Sequence, residues 1–285
     1  MKLTCVINSM SGGGAERVMT HLSGGLARRG HKVTVTTLDP AIPDFYPAPP
    51  GVERTVAEAP PGGCRWYQLG RQRARVLGLR RRILEQAPDA VISFVDVSNI
   101  LTLAACRGSG IPVVACERIN PRQYRIGPHW ELLRRLLYPS AACVVMLTED
   151  TLSWARGTTG ARAAAAIHNP VPTPRFSDGA PRPDFFGPGK NLLAMGRLED
   201  QKGFDLLLRA FADIAAGFPD WRLTILGEGP ERARLEALRD GLGLGGRAML
   251  PGTRPNSFDV LKYADLFVFS SRFEGFGMAL AEALA

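Results

Sequence analysis

Residues 2–38 read KLTCVINSMSGGGAERVMTHLSGGLARRGHKVTVTTL, and their order decides the fold class. Lys2–Asn8 is a short apolar run rich in β-formers. Ser11–Gly14 is a glycine turn, and Ala15–Arg29 has the composition of a helix that Gly30 ends. His31–Leu38 then alternates as a second strand. Strand, glycine turn, helix and strand together make the repeating unit of a parallel sheet. Working outward, Ala90–Val95, Pro112–Cys116 and Ala142–Leu147 are further apolar runs, separated by helical segments near Asn99–Cys106 and His129–Leu137.

The second half restarts the pattern. Asn191–Met195, Trp221–Leu226, Ala248–Leu250 and Leu266–Ser270 read as strands, with helices over Gly203–Gly217 and Glu231–Leu242. Between the halves, His168–Lys190 carries six prolines and reads as a linker. A second proline-rich stretch, Asp39–Gly63, reads as an irregular exposed loop. The expected organisation is an α/β protein of two Rossmann-like domains, residues 1–169 and 191–285, joined by 170–190. Two such domains are expected to face each other across a cleft, with ligands beyond the carboxyl ends of the strands.

The chain has 285 residues and a formal net charge of +8, placed unevenly. Residues 1–169 hold 21 Lys+Arg against 12 Asp+Glu, a net of +9, and residues 170–285 hold 14 against 15, a net of −1. Five cysteines, Cys5, Cys64, Cys106, Cys116 and Cys143, contain no C-x-x-C pair, so neither a zinc site nor a disulfide framework is implied. The N-terminus runs into a strand instead of a signal peptide's apolar core, and no run reaches membrane-spanning length. A cytoplasmic protein is expected. His21, His31, His129 and His168 all read as structural.

Four segments carry candidate chemistry. FEGFGMALAE (273–282) follows an apolar strand and puts Glu274 on a glycine-rich turn and Glu282 about two turns into the helix beyond. A fresh helix N-terminus attracts anions, and carboxylates accept hydrogen bonds from sugar hydroxyls, so a sugar nucleotide suits the pair. Glycines at strand–helix turns are common in any α/β protein, and this segment alone leaves both readings open. GRLEDQKG (196–203) also joins a strand to a helix, and Arg197 and Lys202 can converge there on a pyrophosphate. Two surface cations are by themselves usually just solvated; the acids downstream give these a role. GGGAER (12–17) fails the dinucleotide pattern because its third glycine position is Arg17, although Asp39 stands where a ribose would be held. A nicotinamide cofactor is therefore not expected, and a phosphate or sugar approaching this loop is.

The fourth feature is Arg71–Arg82, helix-compatible and studded with arginines among Val76, Leu77 and Leu79. An anionic membrane surface and plain solvation of a helix face account for it equally. Nucleic acid is not an expected partner, since no aromatic interleaving or recognition motif accompanies the arginines.

The set GGGAERV, GRLEDQKGF, LGEGP, PG (251–252) and FEGFGMALAEALA, in this order and spacing, resembles the large retaining glycosyltransferase family four, with the GT-B fold. The resemblance covers nearly the whole chain. ISFVDVSNI (92–100) and IPVVACERINP (111–121) are similar to bacterial members that build surface polysaccharides. The resemblance implies a metal-independent hexosyltransferase that needs no cofactor. Its donor is a nucleotide sugar, its acceptor a saccharide or lipid-linked saccharide, and the anomeric configuration is retained. It implies that Arg197 and Lys202 bind the donor diphosphate. Glu274 would contact the transferred sugar, with backbone contacts from Gly275, Phe276 and Gly277, and Glu282 would hold the ribose. Gly13 and Gly14 match the loop that closes over the phosphates, and Gly227 and Gly252 match regions near the base. An acceptor proton passing to the donor's own phosphate is also implied.

Where many relatives place a histidine near the reacting sugar, this chain reads Cys116-Glu117-Arg118. Glu117 is the candidate to accept from a sugar there, and Arg118 to pair with it or with phosphate. Family members usually run longer. Glu282–Ala285 is helix-forming sequence without a stop signal, so the second domain is expected to be truncated. An inactive fragment, a nucleotide-sugar binder and a GT-B-fold sugar-nucleotide epimerase stay open beside the transferase. A peripheral position on the inner membrane face would suit a lipid-linked acceptor.

Overall fold

The computed structural model describes residues 1–39, 43–57, 67–171, 173–254 and 256–285, with 67–71 described through their backbone. It divides into two compact units, Met1–Pro170 and Val171–Ala285.

The first unit runs β1 (Lys2–Ile7), α1 (Gly14–Arg28), β2 (Lys32–Thr37), β3 (Val52–Val56), α2 (Tyr67–Gln86), β4 (Ala90–Phe94), α3 (Asp96–Cys106), β5 (Val113–Cys116), α4 (Pro128–Leu137), β6 (Cys143–Met146), α5 (Glu149–Thr158) and β7 (Ala164–Ala166). The sheet order is β3-β2-β1-β4-β5-β6-β7, with every pairing parallel. The chain therefore turns back at β1, between β2 and β4, which is the crevice where such sheets hold ligands. One side of this sheet is packed by Leu79 and Ile83 of α2 and by Ile100 and Leu103 of α3, against Val6, Val91 and Val144. Cys5, Cys106 and Cys116 are buried and unbonded; burial pushes their thiols up to about 11 or 12, so they behave as small apolar side chains.

The second unit runs β8 (Lys190–Met195), α6 (Phe204–Ala215), β9 (Trp221–Leu226), α7 (Arg232–Gly241), β10 (Ala248–Met249), α8 (Ser257–Leu261), β11 (Leu266–Phe267) and α9 (Met278–Leu284). Its parallel order, β10-β9-β8-β11, repeats the wiring of the first sheet around β8. Phe204, Leu207, Leu208 and Phe211 recur at helical spacing on α6 and bury against Leu192, Ala194, Leu223 and Ile225.

Two sequence expectations need correction, and one strand was not anticipated. Val52–Val56 lies inside the expected irregular loop yet pairs with β2 from Val33↔Val52 to Thr37↔Val56. Its β-branched residues outvote the surrounding prolines. Residues 40–42 and 58–66 of that loop, with Cys64, lie outside the described residues. Ala164–Ala166 has no strand composition and is a strand because β6 offers it an edge. Finally, most of the proline-rich stretch read as a linker packs on the second unit. Phe186 is buried with Leu193, Met195, Leu226 and Val260, and Tyr263 Oη donates to the Ala180 carbonyl at 2.8 Å. Ser177 is held by the carboxylate of Asp259.

Candidate functional site

In the second unit the chain turns back at β8, and the loops leaving β8 and β11 are stitched together there. Val268 N–H donates to the Leu193 carbonyl at 2.8 Å, and Arg272 N–H to the Gln201 carbonyl at 2.8 Å. Gln201 Nε2 donates to the Phe273 carbonyl at 3.0 Å, and Ser270 Oγ to the Lys202 carbonyl at 2.8 Å. Arg272 clamps the seam from outside through both carboxylate oxygens of Asp205 at 2.9 and 2.8 Å, which holds that carboxyl below its ordinary range. Gly203 is where the loops come closest: its φ is +62°, and a Cβ there would stand 2.2 Å from the Ser270 carbonyl oxygen.

This seam joins two residues 72 positions apart in sequence. Lys202 Nζ meets Glu274 Oε1 at 2.6 Å, and each side chain is 19% exposed. Ser271 Oγ donates to the same oxygen at 2.7 Å. Arg197 stands apart from this pair: it bridges Glu199 at 2.8 Å and is 49% exposed. An exposed ion pair contributes about 0–1 kcal/mol, so Arg197 is released to another anion at little cost, while Lys202 is already placed. Gly275 and Phe276 continue the Glu274 turn, and Gly277 is the N-cap of α9.

Glu282 lies on the inner face of α9 and is 6% exposed, with its Oε2 accepting from Ser257 Oγ at 3.0 Å. The floor beside these acids is backbone. Gly196 N–H donates to the Leu226 carbonyl and Gly227 N–H to the Gly252 carbonyl, both at 3.0 Å. A Cβ on Gly227 would fall 1.8 Å from the Gly196 carbonyl oxygen. Arg197, Lys202, Gly227, Gly252, Glu274, Gly275, Phe276, Gly277 and Glu282 all belong to this unit, beyond the carboxyl ends of its strands.

In the first unit Gly13 caps α1 and Gly14 opens it, at the crevice beside β1. The carboxylate of Glu16 folds back over this turn, where a Cβ on Gly13 would meet its Oε2 at 2.3 Å. Ser11 Oγ donates to Glu16 Oε1 at 3.2 Å. The helix N-terminus thus carries its own anion. Across the crevice, Val95 precedes α3 with φ at +75°, a strained conformation for a β-branched residue that stores about 1–3 kcal/mol.

The candidate Glu117 is corrected by the structure. Its side chain is fully buried, accepting from Tyr138 Oη and standing 3.5 Å from Arg134 Nη2. Burial pushes its carboxyl up to about 7 against the pull of Arg134. It faces the interior, where no sugar hydroxyl reaches it. Arg118 does not pair with it either; its guanidinium lies 3.5 Å over the Phe94 ring and donates to Asn169 Oδ1 at 2.7 Å.

Sequence reading missed Ser271, Gln201, Ser257 and Glu16. Ser271 was reachable only as a near neighbour of Glu274 on the same loop. The others depend on long-range pairing that no local pattern records.

The chain as a whole is similar to known proteins. Residues 12–175 match glycosyltransferase family 4, and residues 182–285 match the glycosyl transferases group 1. The chain belongs to glycosyltransferase family 4 and is an enzyme of the hexosyltransferase type. It is 27% identical, over its whole length and 77% of the relative's, to a Campylobacter jejuni enzyme. That enzyme is named GalNAc-alpha-(1->4)-GalNAc-alpha-(1->3)-diNAcBac-PP-undecaprenol alpha-1,4-N-acetyl-D-galactosaminyltransferase. Among solved structures, sucrose-phosphate synthase from Thermosynechococcus elongatus superposes with a TM-score of 0.79 at 18% identity, over 99% of this chain and 78% of that one. HepE from Anabaena, solved with UDP and glucose, gives 0.73 at 18% identity, over 100% and 78%. These likenesses establish the GT-B fold.

Proposed function

We propose that this enzyme moves a hexose-type sugar from a nucleoside diphosphate donor to a saccharide or lipid-linked saccharide acceptor in surface polysaccharide or glycolipid synthesis. The observation that carries the reading is the Lys202–Glu274 pair, 2.6 Å apart where the second sheet turns back. Lys202 is a mobile cation for the diphosphate, and Arg197 a second one released from Glu199. Glu274 would take hydroxyls of the transferred sugar, and Glu282 the ribose. HepE, with UDP and glucose, and the Campylobacter enzyme, named for an undecaprenol-linked substrate, support the donor and acceptor classes.

In the transfer, an acceptor oxygen bonds to the anomeric carbon while the bond from that carbon to the β-phosphate oxygen breaks. The electron pair leaves with the nucleoside diphosphate, whose oxygen also takes the acceptor proton. Lys202 and Arg197 would balance the developing negative charge, a role that elsewhere a metal ion fills. A leaving group that collects the proton on the face it departs from gives retention.

Calorimetry with UDP-, GDP- and ADP-sugars tests the donor site. Saturable binding of one nucleotide class, weakened by Lys202→Ala and Glu282→Ala, is expected. A folded protein that binds none of them sinks the proposal. Proton NMR of the product's anomeric signal checks retention, and inverted product would overturn that step alone.

A further inference from the structure

Arg118 is an enclosed cation that no acid balances. It follows β5, with its guanidinium 3.5 Å over the ring of Phe94 at the end of β4. Its Nη1 donates at 2.7 Å to Oδ1 of Asn169, just past β7. Its Nε is shut away from solvent and meets no acceptor. Among the described residues no carboxylate comes within ion-pairing reach of it. Burial pulls its pKa below the usual range of a guanidinium, and the group acting against that is the Cys116 thiol. That thiol is itself pushed up by burial to about 11, so it is neutral at physiological pH. Arg134 makes the contrast. Its deeper burial would lower it further, yet its pKa is raised because Glu117 stands against it.

A charge taken out of water is ordinarily balanced within the fold. Arg118 is positioned without being neutralised. Phe94 and Asn169 fix its place and both are uncharged, and among the described residues most of its N–H donors are not spent on the protein. A planar fork of such donors matches the oxygens of a phosphate or a carboxylate. The carboxyl ends of β4, β5 and β7 meet at this side chain, on the edge where parallel sheets hold ligands.

Two observations give that anion to the acceptor. Lys202 and Arg197, the cations proposed for the donor diphosphate, belong to the second unit, whereas Arg118 belongs to the first. Residues 1–169 also carry a net charge of +9 against −1 for residues 170–285, so an anionic partner is drawn to the Arg118 side. The N-terminus of α1 does not compete for it, because the Glu16 carboxylate already lies there. We propose that Arg118 binds an oxyanion carried by the acceptor, a phosphate or a carboxylate, and so selects anionic acceptors over neutral ones. This rests on the transferase reading above and adds to it the charge of the acceptor.

NMR of the arginine Nε–H groups in nitrogen-labelled wild-type protein tests the assignment at the residue itself. The enclosed Arg118 Nε–H should exchange slowly with water, and Arg118→Lys identifies its resonance by removing it. Glucose 1-phosphate, glucuronic acid and glucose are the probes. A saturable shift with the first or the second is expected and tells phosphate from carboxylate, while glucose should leave the resonance in place. The shift should persist in Lys202→Ala, which separates it from the donor cation. Arg118→Gln should weaken binding of the effective probe by about tenfold or more, and Arg118→Lys should recover part of the loss. Calorimetry with the donor nucleotide sugar should return the same affinity for Arg118→Gln as for the wild type. The assignment is overturned if no probe moves the resonance, or if glucose moves it as far as the anionic sugars do. It is also overturned if the shift vanishes in Lys202→Ala, or if Arg118→Gln loses donor affinity instead. Donor binding by the wild type is a separate readout: its absence sinks the transferase reading, whereas the Arg118 resonance decides the oxyanion site.

Discussion

Both sheets share one wiring, with the first strand of each, β1 or β8, flanked by the second and the fourth. Beyond the strand ends of each, an acid meets a base. In the first unit Glu117 and Arg134 are sealed inside, and burial holds the carboxyl up near 7. In the second, Lys202 and Glu274 sit at the rim, each one-fifth exposed. Water makes the difference. A sealed pair cannot trade partners without stranding a charge, so it serves as a structural pin. A pair at the rim can exchange its partner for a ligand's charge, so it is available for chemistry.

Four substitutions would break or sharpen this contrast. Gly227→Ala should cost the second unit about 4 kcal/mol or more, because the added carbon has no room beside the Gly196 carbonyl. Denaturant midpoints measure it, and a loss below about 1 kcal/mol would show that the strand ends give way easily. Lys202→Ala should lower kcat for sugar transfer by about 10²–10³-fold with little change in melting. Unchanged turnover would demote the rim pair to the status of the sealed one.

Glu117→Gln should leave turnover nearly intact and change how stability follows pH. The folded Glu117 carboxyl stands at about 7, above the 4.5 of a free glutamate, so the folded state binds its proton more tightly. Its contribution is therefore full below pH 4.5 and lost as pH climbs to 7, about 3 kcal/mol in all. Glutamine still accepts from Tyr138 and cannot ionise. Unfolding titrations across that window should be flatter for the variant, and parallel curves would show that Glu117 keeps its charge throughout. Arg81→Ala should cost no more than about 0.5 kcal/mol, since the Arg81–Glu85 pair, at 3.6 Å, is exposed on both sides.

Residues 2–38 and the strand–loop–helix patterns at 191–217 and 266–282 made the α/β class legible, because parallel strands are continuous apolar runs and glycine marks the turns between elements. Glu274 and Lys202 were legible as candidates from their loop positions. Their meeting was not, since a contact spanning 72 residues leaves no local trace. Glu117 misled because sequence position at a strand end says where a side chain starts and not which way it points. The packing of α4 was hidden too: PHWELLRRLL carries apolar residues on two sides, and the structure turns Trp130, Arg134 and Leu137 inward, the arginine meeting Glu117 just beyond β5.

The row of Gly196, Gly227 and Gly252 carries a last consequence. A floor made of main chain presents the same carbonyls and amides whatever the gene does to neighbouring codons, and its closest approach tolerates no added atom. Whatever rests there can be re-selected only by residues that stand up around it. Retargeting this enzyme by mutagenesis is thus a matter of rebuilding walls over a fixed foundation, and libraries that spare the three glycines should return the most folded variants.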